Sequence, residues 1–391
     1  VRLDGAVHPP GAPGDGGRAA TPITIPAALL PGDGRFGCGP AKVRPEAVAE
    51  LAAAGTRLLG TSHRQAPVRD QVARLRRGIA ALLDVPDGYE VVLGNGGAAA
   101  FWEVAVFCLV RQRAQAAAFG EFGARFAQSV GAAPFLDPPR VREADPGAAA
   151  TLVAEAGVDT YATPQNETST GVAVPVRRVP GADAGALMLH DATSAAGALP
   201  VDLRETDVYY FAPQKAFGAD GGLWIAVLSP AARERAARIR ETGRYVPAFL
   251  DLGTALENSR REQTYNTPAL ATVLLAAAQT DWLRARGGLP WAARRCAESA
   301  GLLYRWAERS PVASPFVTDP ALRSPVVVAI DFAPEVDAAA LAAHLRANGV
   351  VDTEPYRGLG RNQLRVATFP AVEPADVEAL THCLDYLIAR M

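Results

Sequence analysis

The chain of 391 residues holds 39 lysines and arginines, and only Lys42 and Lys215 are lysine. A guanidinium stays protonated at any pH a fold survives, whereas an amine can lose its proton and attack a carbonyl. A lysine that must form a Schiff base therefore cannot be exchanged for arginine. A genome-wide codon bias accounts for the arginines; it does not account for the two lysines that survive it.

Four polar clusters carry chemistry-bearing side chains. Gly94-Asn95-Gly96-Gly97-Ala98-Ala99 is a glycine-rich turn opening a helix, with free N–H groups and a positive helix end that suit a phosphate. It has neither nucleotide-loop nor dinucleotide-loop spacing, and alone it is equally a tight turn without a ligand. In His190-Asp191-Ala192-Thr193-Ser194, Asp191 ends a strand expected to be buried on both faces, where a carboxylate needs a cationic partner. A lone Asp there reads more simply as a helix cap or a structural ion pair. Gln214-Lys215 follows the strand VYYFA. An amine at the floor of a cleft has its pKa lowered and becomes a nucleophile; an exposed turn lysine is the alternative, weakened by the scarcity of lysine. Asn166-Glu167-Thr168-Ser169-Thr170-Gly171 is a polar loop that orients a ligand hydroxyl or is simply a turn.

Together the four meet the needs of pyridoxal 5′-phosphate. The lysine forms the Schiff base, the glycine-rich turn takes the phosphate, and Asp191 keeps the pyridine nitrogen protonated so that the ring accepts electrons.

The elements that must position these groups alternate. Arg44–Leu59 and Gln71–Leu83 have helical periodicity, and Tyr89–Leu93 is a short apolar strand running into the glycine-rich turn and a helix through Val110. Ala186–His190, Val208–Ala212 and Gly222–Leu228 are further strands. This pattern predicts an α/β fold with a mainly parallel sheet between helices, and ligands of such sheets lie outside the carboxyl ends of the strands. A helical stretch, Pro268–Arg309, leads to a second α+β unit. Its strands are expected at Val326–Phe332, Val350–Glu354 and Gln363–Phe369, and its helices at Val336–Asn348 and Pro374–Ala389. The expected division is a disordered, Gly- and Pro-rich extension over 1–20, a segment near the substrate over 21–43, a large domain over 44–275 and a small one over 276–391.

Composition narrows the class. With 49% hydrophobic and 20% charged residues and a net charge of −2, the chain reads as an ordinary globular enzyme without a nucleic-acid surface. Apolar runs are too short for a membrane span, and the start carries no secretory pattern. Cys38, Cys108, Cys296 and Cys383 form no C-x-x-C pair, so free thiols in the cytoplasm are expected and no metal site is.

From Gly34 to the C-terminus the sequence resembles the class V group of fold-type I aminotransferases, and within it the phosphoserine aminotransferases of actinobacterial type. DGRFGCGPAKVR, GTSHRQAPV, LGNGGAAAFW, NETSTGVAV, DATSAAG, YYFAPQK, EQTYNTPA and VDTEPYRGLGRNQLRVATFPAV carry the likeness. The resemblance implies a PLP-dependent fold-type I transferase. Lys215 would bind the cofactor and shuttle protons, Asp191 would pair with the ring nitrogen, and Thr168 would bond near the phenolic oxygen. Ala98, Ala99 and Gln214 would hold the phosphate, with Asn266 and Thr267 reaching it from the neighbouring subunit of an obligatory homodimer. Phe122 stands where relatives carry a stacking Trp, and an aromatic ring can still stack there. Cys38 replaces a Ser near the substrate. Lys42 matches no catalytic position and reads as a structural ion pair.

For substrates, the resemblance makes Arg365 the α-carboxylate fork. His63 and Arg64 would receive the phosphate or the glutamate γ-carboxylate, with Arg357 adding to that pocket and Arg361 a competing choice. The implied reaction moves the amino group of glutamate to 3-phosphohydroxypyruvate, with 4-phosphohydroxythreonine chemistry in pyridoxine biosynthesis a further option. The rivals are an alanine–glyoxylate-type aminotransferase, a cysteine desulfurase, and a non-catalytic phosphate-ligand-binding protein. A desulfurase needs a mobile nucleophilic cysteine, which Cys296 and Cys383, placed in predicted helices, do not offer.

Overall fold

The computed structural model describes residues 22–391, so the expectation for residues 1–20 lies outside the described residues. Helices α1 (Pro45–Leu58) and α2 (Ala66–Leu82) come first. Helix α2 begins five residues before the expected Gln71, because Pro67 fits a first helical turn, where its missing N–H is not needed. Then follow β1 (Glu90–Asn95), α3 (Ala98–Cys108), β2 (Ala114–Ala118), α4 (Glu121–Ala132), β3 (Arg140–Glu143) and β4 (Thr160–Pro164). A two-stranded ribbon of β5 (Asn166–Glu167) and β6 (Val172–Ala173) precedes β7 (Leu187–Asp191), β8 (Val208–Phe211) and β9 (Leu223–Leu228).

These strands build a seven-stranded sheet in the order β1-β9-β8-β7-β4-β2-β3. Only β9 runs against its neighbours; β3, β2, β4, β7 and β8 are mutually parallel. Alternation along the strands splits the core between two faces. Val91, Leu93, Tyr209, Phe211 and Ile225 pack with α2, while Val92, Tyr210, Trp224 and Ala226 pack with α3 on the other side. A sheet covered on both faces must be apolar throughout, and β9 (LWIAVL) is buried at all six positions. Because β1, β4, β7 and β8 point the same way, the chain leaves all four at one edge of the sheet.

Helices α5 (Pro230–Glu241), α6 (Leu252–Arg260), α7 (Leu270–Ala285) and α8 (Gly288–Arg309) follow. The single helical stretch expected over 268–309 is two helices. Gly287 (φ +112°) and Gly288 (φ +67°) take left-handed conformations that end α7 and restart the chain as α8. Helix α7 runs unbroken through the division expected at 275–276. Helix α8 shares its residues between two cores: Ala292 and Cys296 join the large sheet, Ala300, Leu303 and Ala307 the last unit. That unit is β10 (Ala313–Pro315), β11 (Val327–Phe332), α9 (Ala338–Ala347), β12 (Gln363–Ala367) and α10 (Pro374–Ile388), with an antiparallel sheet β10-β11-β12. The strand expected at Val350–Glu354 is absent. Only one bridge forms there, Arg35 to Val351, and Asp352 at φ +65° breaks the extended run. Among the described residues, no helix is long and apolar enough to cross a membrane.

Candidate active site

The chain ends of β1, β4, β7 and β8 enclose a cavity of about 480 Å³. Gly97, Ala98 and Ala99 line one end of it. No side chain caps α3, so the positive end of its dipole and its first N–H groups lie at the cavity wall. Asp191 ends β7 and Thr193 and Ser194 follow it, Asn166 and Thr168 come from β5 and the turn after it, and Gln214 and Lys215 from the segment after β8. The four clusters read along the chain thus meet in one place.

Lys215 is 7% exposed. Its Nζ donates to Thr168 Oγ1 at 2.7 Å and lies 5.3 Å from the centre of the Phe122 ring. Burial lowers its pKa to about 8, against the opposing pull of Asp191 and Cys38. Near pH 8 about half of this amine is therefore neutral, the form that attacks a carbonyl. The segment before α1 roofs it: Ala41 N–H donates to Gln214 O at 2.8 Å, and a Cβ on Gly39 would sit 2.8 Å from Lys215 Cε. Thr168 is held in turn, since its hydroxyl donates to Ser194 Oγ at 2.9 Å and Asn166 Nδ2 donates to the same oxygen at 2.8 Å.

Asp191 accepts from the Trp102 indole Nε1–H at 3.2 Å on one oxygen and from Thr193 N–H at 2.9 Å on the other. Neither a cationic side chain nor a simple helix cap meets it. Glu167, fully buried, accepts from the N–H groups of Phe122 and Gly123 at 3.1 Å each, while Ser169 Oγ, bonded to Glu167, accepts from Glu121 N–H at 3.0 Å. The NETSTG loop thereby caps α4 and sets the position of the Phe122 ring. Burial raises the Glu167 pKa against the pull of these donors.

Arg365, on β12, donates from Nη1 to Thr168 O at 2.8 Å and lies over the Tyr356 ring at 5.3 Å, while its Nε has no partner. Tyr356 in turn sits 6.2 Å from Phe122. Arg357 is exposed and does not line the cavity. Arg361 is tied to Asp331 and lies over Phe316, away from it. His63, Arg64, Asn266 and Thr267 also stand outside this cavity and gather in a second cluster. Thr267 Oγ1 bonds His63 Nδ1 at 3.2 Å, Asn95 bridges Asn266 N and Thr267 O, and Arg64 bonds Gln263. The sequence reading missed Trp102, Glu167, Arg125 and Tyr356. Trp102 and Glu167 lay inside quoted motifs, but no spacing rule marks an indole aimed at a carboxylate or a carboxylate capping a distant helix.

Cys38 lines the cavity, yet it is buried and burial raises its pKa, the reverse of an activated thiol. Lys42 is buried between Asp33 (3.2 Å) and Asp376 (3.5 Å), joining the roof segment to α10.

Fold and site together define a class V aminotransferase: a family model described as aminotransferase class-V matches residues 145–353. The chain is 59% identical to a phosphoserine aminotransferase from Nocardioides sp., over 94% of this chain and 99% of that one. It is 57% identical to one from Rhodococcus jostii, over 95% and 99%. A solved phosphoserine aminotransferase from Cytophaga hutchinsonii superposes with a TM-score of 0.83 at 22% identity, covering 90% of this chain and 99% of that one, a likeness of fold. The chain belongs to the phosphoserine aminotransferase family.

The cofactor of that family is pyridoxal 5′-phosphate, and the residues present fit it. Asn166 Oδ1, Thr193 Oγ1 and Gln214 Oε1 are buried polar atoms without a partner among the described residues, all on cavity-lining residues. Buried polar atoms need partners, and a polar aromatic phosphate supplies them. The uncapped α3, the carboxylate of Asp191 and the half-neutral amine of Lys215 complete the set.

Proposed function

We propose that this chain moves the amino group of L-glutamate reversibly to 3-phosphohydroxypyruvate, giving O-phospho-L-serine and 2-oxoglutarate in serine biosynthesis. The observation that carries this reading is the buried Lys215 amine, bonded to Thr168 in a cavity that Asp191 and Arg365 also line.

When bound, pyridoxal phosphate supplies an aldehyde that accepts the amino group and a ring that accepts electrons. Lys215 would hold it and would take and return the proton at the substrate α-carbon; an amine with a pKa of about 8 suits both directions. Asp191 would pair with the ring nitrogen, Thr168 would meet the ring oxygen, and Phe122 would stack on the ring. Ala98, Ala99 and Gln214 receive the phosphate. Arg365, with a free Nε and a planar fork backed by Tyr356, receives the α-carboxylate. Gly39 and Pro40 line the same cavity, with Gly39 packed against the Lys215 side chain.

His63, Arg64, Asn266 and Thr267 lie together outside this cavity, which supports a homodimer in which each subunit completes its partner's site. Asn266 and Thr267 would reach the phosphate of the cofactor, and His63 and Arg64 the distal anion of the substrate. Exposed Arg357, close in sequence to Tyr356, belongs to the same pocket in this reading, and Arg361, committed to Asp331, does not. The four free, buried cysteines agree with a reducing cytoplasm.

Steady-state assays with glutamate and 3-phosphohydroxypyruvate, beside alanine and glyoxylate, test the proposal. Turnover with the first pair and parallel double-reciprocal lines are expected. Preference for the second pair, or intersecting lines, would overturn it.

A further inference from the structure

Helix α3 brings two groups to the cavity on one face. Ala98 at its N-terminus and Trp102, one turn on, both line it. Trp102 is 6% exposed, and its indole N–H points at Asp191 Oδ2, itself 9% exposed. Thr193 N–H occupies Oδ1. These donors hold one oxygen each, and the buried Tyr210 side chain also lies against the Asp191 carboxylate. Each carboxylate oxygen retains a further lone pair, so the group stays able to accept from the cavity.

We propose that Trp102 is a positioning residue for the reaction: its indole N–H fixes the Asp191 carboxylate in place toward the ring nitrogen of the cofactor. The inference rests on Asp191 facing that nitrogen. Indole suits the task because it donates only and does not titrate. Other groups around Asp191 do titrate: Lys215, Tyr210 on the adjacent strand β8, and Tyr209 and Glu167, which also feel its charge. A carboxylate held on both oxygens keeps one orientation, so it would meet the ring nitrogen without first reordering its side chain. Without the donor, the Asp191 carboxylate is free to turn on its side chain, and the cofactor would lose part of that partner. Trp102 thus acts through Asp191.

The test is Trp102→Phe, which keeps an aromatic ring but loses the N–H and part of the indole volume, with Trp102→His, smaller again but retaining a ring N–H, as the second arm. A hydrogen bond to a charged group carries about 10- to 100-fold in an equilibrium. For Trp102→Phe, the pyridoxal phosphate dissociation constant is expected to rise about tenfold or more. The visible absorption band of the holoenzyme should shift, and single-turnover rates with glutamate and with 3-phosphohydroxypyruvate should fall together. Trp102→His should bind the cofactor more tightly than Trp102→Phe. The proposal is overturned if Trp102→Phe binds the cofactor within about twofold of the parent with an unchanged band, even where its melting temperature falls. It is equally overturned if Trp102→His loses as much affinity as Trp102→Phe. A parent protein that fails to bind pyridoxal phosphate would instead refute the functional reading on which the inference stands.

Discussion

Replacing Lys215 with methionine removes a buried amine whose charge the fold holds at a cost. In the folded chain the amine titrates near 8, against 10.5 for an ordinary lysine. Between these values the unfolded chain binds more protons than the folded one, so stability rises with pH there and is lost as pH falls through 8. The charge costs the folded state about 3 kcal/mol at pH 7 and about 2 kcal/mol at pH 9. From pH 7 to pH 9 the parent apoprotein should therefore gain about 1 kcal/mol on Lys215→Met. Equilibrium urea unfolding of both apoproteins, at fixed protein concentration because assembly shifts apparent stability, reads this difference. Comparing the two proteins cancels the buried tyrosines and thiols that titrate in the same range. No relative gain, or a gain for the variant, would mean that the amine is hydrated in the fold and that its activation by burial is wrong.

Three further outcomes follow from the geometry. Glu167→Ala strips the acceptor from the Phe122 and Gly123 N–H groups and should lower apoprotein stability by about 2–4 kcal/mol in urea. Arg365→Lys keeps the charge but loses the planar fork, so KM for glutamate should rise about tenfold or more while the visible spectrum of the holoenzyme stays put. Lys42→Met strips the buried Asp376 of its cation and leaves Asp33 with Arg35 alone, and should cost about 1–3 kcal/mol in urea unfolding with cofactor binding retained.

The legible parts of the molecule were those where local chemistry and local pattern coincide. Lys215 stood out because arginine had taken almost every other cationic position, and Asp191 and Gln214 follow strands whose apolar runs are unmistakable. Strand β2 went unread because its sequence, AQAAA, carries neither alternation nor β-branched residues; it is a strand only because its neighbours bury it on both faces. The Val350–Glu354 run has strand-like composition, but it lacks a partner beyond the single bridge to Val351. Long-range roles were invisible for a related reason. Glu167 caps a helix that begins 46 residues earlier, and Trp102 meets a carboxylate 89 residues away. No spacing in the chain encodes either contact.

The two lysines supply the most direct test of the account. Holoenzyme reduced with borohydride, digested and mapped by mass spectrometry reports which amine carries the cofactor. The account predicts a pyridoxyl phosphate group on the peptide holding Lys215, and none on the peptide holding Lys42, whose amine is committed to Asp33 and Asp376. Label on Lys42, or a yellow protein that leaves Lys215 unmodified after reduction, would contradict it.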